Sequence, residues 1–355
     1  MKILHLITGM AAGGAEHMLY KVLPTLEGEH FVVSLMNLDF WGTPLKKRGV
    51  KVKFLGLNKF NILSVTWKLM RIIKKEKPDI INCYLLHTNI YGRFIGKLFR
   101  KKVVCSVRNV HRETKFLNFI DKYTQFLVDE YTPNSEAVKE FIINKIGINK
   151  KKVRVIPNSI EVEKYNIKID RKKYFKEFKI PKENKVFGCI GSFKKQKGHT
   201  YLIDAFAKLL KKNPNNSLIL IGEGKLREEI EAKTRKLGLQ NNIKFLGNRK
   251  DTPKLINFMN YLVLPSLHEG MPNVLLEAMA SKTPILCTNI RENTDLVGDK
   301  AIIFPKKDVE ALYKALMNPN KKKKNMDYLN KKVKKEYSIK NTQRLMIKLY
   351  EELLR

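Results

Sequence analysis

Two glutamates, Glu269 and Glu277, stand with seven residues between them inside the run LPSLHEGMPNVLLEAMASKTPI, Leu264 to Ile285. A β-rich run ends at Leu264-Pro265, and a polar turn carries Glu269 and Gly270. A helix then opens with Pro272 near its first position, where a residue without an N–H is tolerated. The amides of Asn273, Val274 and Leu275 are therefore expected to be free at the positive end of that helix, a ready anion site. Two carboxylates beside a phosphate would be repelled by it, so their natural partners are hydroxyls. One carboxylate accepts from both hydroxyls of a ribose or from two ring hydroxyls of a sugar. An anion cradle flanked by two polyol-binding acids has the parts to hold a nucleoside diphosphate sugar. Alone, Glu269 would read as a helix N-terminal acid and Glu277 as a surface residue; their shared setting favours chemistry.

The surrounding elements must position these groups. Short β-rich runs alternate with amphipathic ones. Expected strands are Lys2–Ile7, Phe31–Met36, Lys51–Leu55, Asp79–Cys83, Val103–Val107 and Val153–Ile156. A second series is Lys185–Ile190, Ser217–Ile221, Ile243–Leu246, Tyr261–Leu264, Pro284–Thr288 and Ala301–Phe304. Helical stripes separate them, such as Val65, Leu69, Ile72 and Ile73. Strands apolar on both faces, alternating with helices, imply an α/β fold of parallel sheets covered on each side. Residues 161 to 183 are charged and lack clear periodicity, which suits a linker. The reading is thus two doubly wound domains, 1–160 and 161–338, with a last helix from 339 packing back on the first. Ligands of such sheets bind beyond the carboxyl ends of the strands, here expected in a cleft between the domains.

With this order of elements, the run around Glu269 and Glu277 resembles the signature of the family 4 retaining glycosyltransferases of the GT-B fold. Other stretches are similar to that family in the same order: GGAE at Gly13, IPNS at Ile156, GSFKKQKG at Gly191, LIGEGKLRE at Leu220 and FLGNRKD at Phe245. The resemblance covers nearly the whole chain, most specifically from 185 to 305. It implies that the first domain binds the acceptor and the second the nucleotide sugar. Glu277 would hold the ribose and Glu269 the transferred sugar, with Gly270, Met271 and Pro272 shaping the pocket. The amides of Asn273, Val274 and Leu275 would take the distal phosphate. Lys197 would neutralise the departing diphosphate. Gly13 and Gly14 would let backbone approach the ligand, Gly191 and Ser192 belong to the donor loop, and Arg249 is a candidate for the base.

Two departures from the family pattern follow. Ser192 stands where the donor loop usually has Arg, so a phosphate-binding cation is missing or comes from Arg108, Lys194 or Lys195. In SVRNVHRE, Arg108 aligns with a family His and His111 follows three residues later; either could face the reacting sugar. The implied reaction is a front-face displacement with retention, without metal or cofactor. No metal-binding D-x-D occurs in the sequence. UDP is the expected nucleotide, because it is the commonest in similar enzymes.

The chain has 355 residues, 70 of them Lys or Arg and 34 Asp or Glu, a formal net charge of +36. A chain rich in Lys, Asn and Ile can owe such a bias to composition alone. The densest Lys blocks lack the interleaved aromatics that stack on bases, which disfavours nucleic acid. An anionic membrane surface is the favoured polyanion, with RFIGKLFRKK (Arg93 to Lys102) as the contact. Four widely spaced cysteines read as buried free thiols in a reducing compartment. A first strand is expected from Lys2, so no targeting segment is expected ahead of it. Trp41 and Trp67 read as packing residues. The expected role is a cytoplasmic enzyme, peripheral at the inner face of the membrane, that extends a glycan or polyprenyl-linked acceptor for lipopolysaccharide, capsule or a similar polysaccharide. The alternatives are an epimerase or phosphorylase on the same fold, an NAD-dependent oxidoreductase, and a non-enzymatic basic protein. GMAAGGAE does not match G-x-G-x-x-G, which weighs against NAD, and a non-enzymatic protein leaves the donor motif unexplained.

Overall fold

The structure, a computed structural model, describes all residues except 12, 109–114 and 321–324. The chain divides into two compact units, Met1–Ser159 with Ile339–Arg355, and Ile160–Ser338.

The first unit carries β1 (Lys2–Ile7), β2 (Glu29–Ser34), β3 (Lys51–Phe54), β4 (Ile80–Tyr84), β5 (Lys102–Val107) and β6 (Glu130–Pro133). Its helices include α1 (Gly14–Val22), α2 (Gly42–Lys47), α3 (Ile62–Glu76), α4 (Leu86–Leu98), α5 (Lys115–Tyr123) and α6 (Glu136–Phe141). The second unit carries α7 (Arg171–Glu177), β7 (Lys185–Ile190), α8 (His199–Lys212), β8 (Asn216–Ile221), α9 (Arg227–Lys236) and β9 (Ile243–Phe245). It continues with α10 (Thr252–Phe258), β10 (Tyr261–Leu264), α11 (Asn273–Ser281), β11 (Ile285–Thr288), α12 (Arg291–Val297), β12 (Ile302–Phe304), α13 (Val309–Met317) and α14 (Met326–Glu336). The last helix, α15 (Ile339–Leu354), belongs to the first unit.

Each unit is built on one six-stranded sheet, in the orders β3-β2-β1-β4-β5-β6 and β12-β11-β10-β7-β8-β9. All the strand pairings are parallel. Read from the other edge, the second order has the same connectivity as the first, the doubly wound dinucleotide-fold order. Sequence explains the layers. Every residue of β4 is buried, because helices cover both faces of a parallel sheet. In α3 the buried positions are Val65, Leu69 and Ile73, one per turn. The helix stops at Lys77, which takes the left-handed conformation.

Helix α15 is fastened to the first unit through apolar burial and polar contacts. Met346, Leu349 and Tyr350 enter the core that also holds Ile3, Val22 and Val104. Each such side chain contributes about 1.5–3 kcal/mol on leaving water. Asn82 Nδ2 of β4 donates to the Tyr350 hydroxyl at 2.7 Å, and Gln343 Nε2 donates to the Val22 carbonyl at 2.9 Å.

Two expectations fail. Val153–Ile156 is not a strand of the sheet; the sixth strand is Glu130–Pro133. The later segment runs beside it, with Arg154 N donating to Tyr131 O and Ile156 N to Pro133 O, each at 2.9 Å. The quartet EYTP shows no apolar alternation, yet all four residues are buried. Residues 161 to 183 are not a simple linker either. Asp170 caps α7 by accepting from Lys172 N at 2.9 Å, and Tyr174, Phe175 and Phe178 surround Phe258 in the core. Dense lysines masked that aromatic stripe in the sequence.

Candidate active site

In the second sheet the chain reverses direction of winding between β7 and β10. Loops leaving the carboxyl ends of these two strands stand at the usual ligand position of this architecture. They are residues 191–198 and 265–272, which contain two of the motifs. The loops are tied together: Leu267 N donates to Gln196 O, and Gln196 Nε2 to His268 O, both at 2.8 Å. Gly198 has φ +67°, and a Cβ there would stand 2.2 Å from the Pro265 carbonyl oxygen. Only glycine permits this approach.

The tie sets up one ion pair. Lys197 Nζ lies 2.6 Å from Glu269 Oε1, with the side chains 20% and 7% exposed. Ser266 Oγ donates to the same oxygen at 2.6 Å. Behind it, Thr288 Oγ1 donates to the Ser266 carbonyl at 2.6 Å, and Asn293 Nδ2 donates to Thr288 Oγ1 at 3.0 Å. The carboxylate is therefore held by a chain of polar contacts that reaches β11 and α12. The Lys197 stem runs past Gly191, at ordinary contact distance from where a Cβ would stand. Burial, against the attraction of nearby Lys197, pushes the Cys189 thiol up to about 12. Burial and Lys197 together press the His199 imidazole down to about 4. Neither His199 ring nitrogen has a hydrogen-bond partner.

Glu277 sits half-buried on the second turn of α11. The Tyr165 hydroxyl hydrogen-bonds its carboxylate, and burial beside that charge pushes the phenol up. Gly270, Met271 and Pro272 are buried at the head of the helix. One expectation here is corrected: the Leu275 amide is not free, because it donates to the Pro272 carbonyl at 3.0 Å. Pro272 is the N-cap, so the helix closes its first turn on it. Ser192 is half-buried and its carbonyl accepts from Lys194 N at 2.8 Å, while Lys194 and Lys195 are exposed. Arg249 stands past the edge strand β9, its guanidinium engaged by Asp251 at 2.8 Å and Glu177 at 2.9 Å. The motif reading missed Ser266, Tyr165 and His199 as site residues. Ser266 was visible in the PS that ends the strand; the other two have no spacing signal.

In the first unit, Gly13 is the N-cap of α1, and a Cβ there would collide with the Glu16 carboxylate at 2.2 Å. Gly14 is the first residue of that helix. Arg108 follows β5 directly and is 7% exposed. Its Nη1 donates to Asn158 Oδ1 at 3.2 Å and to the Ile156 carbonyl at 3.4 Å. Burial lowers its pKa. His111 lies outside the described residues. Two readings of the surface are corrected. Arg93 offers no membrane contact: it is fully buried, paired with Asp121 at 2.6 Å. Trp67 is not a packing residue, being more than half exposed beneath Arg71.

Comparison with known proteins accords with this geometry. Residues 12–164 match the model of glycosyltransferase family 4, and residues 170–336 that of glycosyl transferases group 1. A relative in Escherichia coli, the UDP-Gal:alpha-D-GlcNAc-diphosphoundecaprenol alpha-1,3-galactosyltransferase, is 27% identical over 70% of this chain and 68% of its own length. The capsular polysaccharide biosynthesis glycosyltransferase CapM of Staphylococcus aureus is 26% identical over 88% of this chain and 85% of its own. In a further relative the match spans 64% of that protein's length. Among solved structures, Anabaena HepE in complex with UDP-glucose superposes with a TM-score of 0.89 at 20% identity, covering 99% of this chain and 100% of that one. Two adjoining family matches on two sheets of one strand order lead to one conclusion: the chain belongs to the family 4, group 1 glycosyltransferases and has the GT-B fold.

Proposed function

We propose that this glycosyltransferase takes a sugar from a UDP-sugar and adds it, with retention of configuration, to a glycan on a diphosphate-linked lipid. The observation that carries the reading is the Lys197–Glu269 pair, presented at the switch point of the second sheet. On this reading Glu277 accepts the ribose hydroxyls and Glu269 accepts hydroxyls of the transferred sugar. The Lys197 ammonium neutralises the diphosphate as charge grows on it, a role that needs no metal. The bond from the anomeric carbon to the phosphate oxygen breaks, and a bond to the acceptor oxygen forms on the same face. The acceptor's proton passes to the departing phosphate oxygen. The relatives named for a lipid-linked acceptor and for capsule synthesis support the acceptor class and a place in surface polysaccharide assembly.

Calorimetric titration with UDP, GDP, ADP and NAD tests the donor. Saturable UDP binding, weakened in Glu277→Ala, is the expected result. NAD binding with indifference to UDP would overturn it. The anomeric proton coupling of the product, measured by NMR with and without EDTA, tests retention and metal independence.

We also place the enzyme at the cytoplasmic face of an anionic membrane. The four cysteines are free and buried, which suits a reducing compartment. Among the described residues no helix is long and apolar enough to cross a membrane. Helix α5 turns Phe116, Phe119 and Tyr123 outward, and Phe60 and Leu63 at the head of α3 are almost bare. Aromatic side chains beside an excess of lysine suit a headgroup interface. Flotation with anionic and neutral vesicles at physiological salt tests this; equal binding to both would reject it.

A further inference from the structure

The two carboxylate oxygens of Glu269 are met unequally. Oε1 accepts from Lys197 Nζ and from Ser266 Oγ, each at 2.6 Å, while among the described residues no donor reaches Oε2. Two donors converging on one oxygen hold the carboxylate in one orientation and leave the other oxygen to a ligand. Lys197 has a long flexible stem and is partly exposed. Ser266 is buried, so its hydroxyl is the steadier of the two holds.

What holds Ser266 lies one strand away. Register pairs Leu264 of β10 with Cys287 of β11, so the next positions of the two strands are Pro265 and Thr288. Pro265 has no N–H, and the backbone ladder loses a donor there. A side chain takes over: Thr288 Oγ1 donates to the Ser266 carbonyl at 2.6 Å. Thr288 has one hydroxyl proton to give and a carbonyl can only accept, so the direction is fixed. Its oxygen is then left to accept. Asn293 Nδ2 of α12 donates to it at 3.0 Å, and to the Thr288 carbonyl at 3.1 Å. The amide cannot be turned over, since Oδ1 would then face that carbonyl oxygen. In the order found, Oδ1 is buried with no partner. An unsatisfied amide oxygen in the core costs stability, and an apolar side chain of similar size would avoid that cost. The unsatisfied atom thus stands at the far end of the chain of contacts that leads to Glu269.

We infer that Thr288 and Asn293 are positioning residues for Glu269: acting through Ser266, they keep Oε1 occupied and present Oε2 to a hydroxyl of the transferred sugar. The inference rests on the donor reading above, and adds which oxygen of Glu269 receives the sugar and what aims it. Both residues act at one remove from the ligand, by locking the group that locks the carboxylate. Glu277, which takes the ribose on that reading, stands on α11 and is not a member of this chain of contacts. Loss of either side chain therefore reduces what the sugar adds to binding and leaves the hold on UDP.

The test titrates the full chain by calorimetry with UDP, UDP-glucose, UDP-galactose and UDP-N-acetylglucosamine. Its readout is the affinity for the UDP-sugar that wild type binds most tightly, taken relative to UDP. Thr288→Val, close in shape but without the hydroxyl, should cut that ratio about three- to tenfold. UDP affinity itself should stay within about twofold of wild type. Thr288→Ser should restore the ratio, and Asn293→Leu, one step further back, should cut it by a smaller factor. In a Glu269→Ala background the Thr288→Val change should have no further effect, because the group it positions is gone. An equal fall for UDP and UDP-sugar in Thr288→Val would overturn the inference and leave the chain of contacts a brace of the fold. So would a Thr288→Val effect that survives in Glu269→Ala, or a serine that fails to restore the ratio. A wild-type ratio no higher than that of Glu269→Ala would overturn it as well, since Oε2 would then receive no sugar hydroxyl. Absence of UDP binding in wild type is a different result: it would refute the donor reading and take the inference down with it.

Discussion

Replacing Lys197 separates two roles that the ion pair with Glu269 could serve. At 2.6 Å the attraction is about 6 kcal/mol for an effective dielectric of 20. Desolvation of a carboxylate that is only 7% exposed offsets much of it. Lys197→Met leaves that carboxylate with the Ser266 hydroxyl as its hydrogen-bond donor. Removing one partner of a buried pair costs about 3–5 kcal/mol, and the 20% exposure of the lysine places this case toward the low end. If Lys197 also stabilises the departing diphosphate, turnover falls by a further factor of about 100 to 1,000, as when a positioned charge donor is removed from a transition state.

The double variant Lys197→Met/Glu269→Gln decides between the roles. A glutamine is neutral and still accepts from Ser266, so the stranded charge is gone. The thermal midpoint, lowered in Lys197→Met, should return most of the way to wild type. Turnover of the UDP-sugar should not return, because the leaving group still lacks its cation. Glu269→Gln alone, which keeps the lysine, should lose less stability than Lys197→Met. Recovery of turnover in the double variant would refute the reasoning: Lys197 would then serve only to neutralise Glu269.

Three further outcomes follow from the same region. Tyr165→Phe removes the hydroxyl that restrains Glu277, so UDP should bind about three- to tenfold more weakly. Its discrimination between UDP and 2′-deoxyuridine diphosphate should narrow, as measured by calorimetry. Gly198→Ala forces a Cβ to 2.2 Å from the Pro265 carbonyl at φ +67°; the thermal midpoint should fall by several degrees for a loss of about 2 kcal/mol or more. His199 has a folded pKa near 4 against an ordinary 6.5. Between those values the unfolded chain holds the extra proton, so stability is full above pH 6.5 and is lost as the pH falls toward the folded value. Denaturant unfolding of His199→Leu between pH 7 and about 4 should show a shallower loss, by up to about 3 kcal/mol.

Sequence carried the fold where periodicity was unmixed. Strands β1, β7 and β10 begin and end at the residues expected from the sequence, and helix α15 starts at the expected Ile339. It failed at β6, because Glu130, Tyr131, Thr132 and Pro133 alternate in nothing; their burial comes from neighbours distant in sequence. Helix α7 was hidden for the opposite reason, lysines on its outer face outnumbering the aromatics that hold it. The donor loops were legible because their chemistry is local: Glu269, Glu277, Lys197 and Gly198 sit in short runs with fixed spacing. Tyr165 was illegible as a partner of Glu277, since 112 residues separate them and only the packed fold brings them together. Leu275 shows the limit of a helix-end rule. Free amides were expected from the position of Pro272, but a tightened first turn used one of them.

The two sheets share a strand order but differ in how their charged groups are met. At the switch point of the second, the charged groups already have partners. Glu269 is paired, Ser266 and Thr288 are linked, and loops 191–198 and 265–272 are bonded to each other. Such a site is preorganised, and binding there exchanges one set of satisfied contacts for another. At the carboxyl edge of the first sheet, five polar atoms remain unmet, one of them Nε of the Arg108 guanidinium. Native proteins keep few such groups, and the second unit has three more, both His199 ring nitrogens and Asn293 Oδ1. A ligand at either edge stabilises the folded chain by mass action, and by the same amount at equal multiples of its own dissociation constant. What distinguishes the edges is a variant: Arg108→Leu should unfold at a higher temperature than wild type in the absence of ligand, since it removes a buried charge that neutral oxygens alone meet. A wild type more stable than Arg108→Leu without ligand would show that the guanidinium is already compensated, and the distinction between the two edges would fall with it.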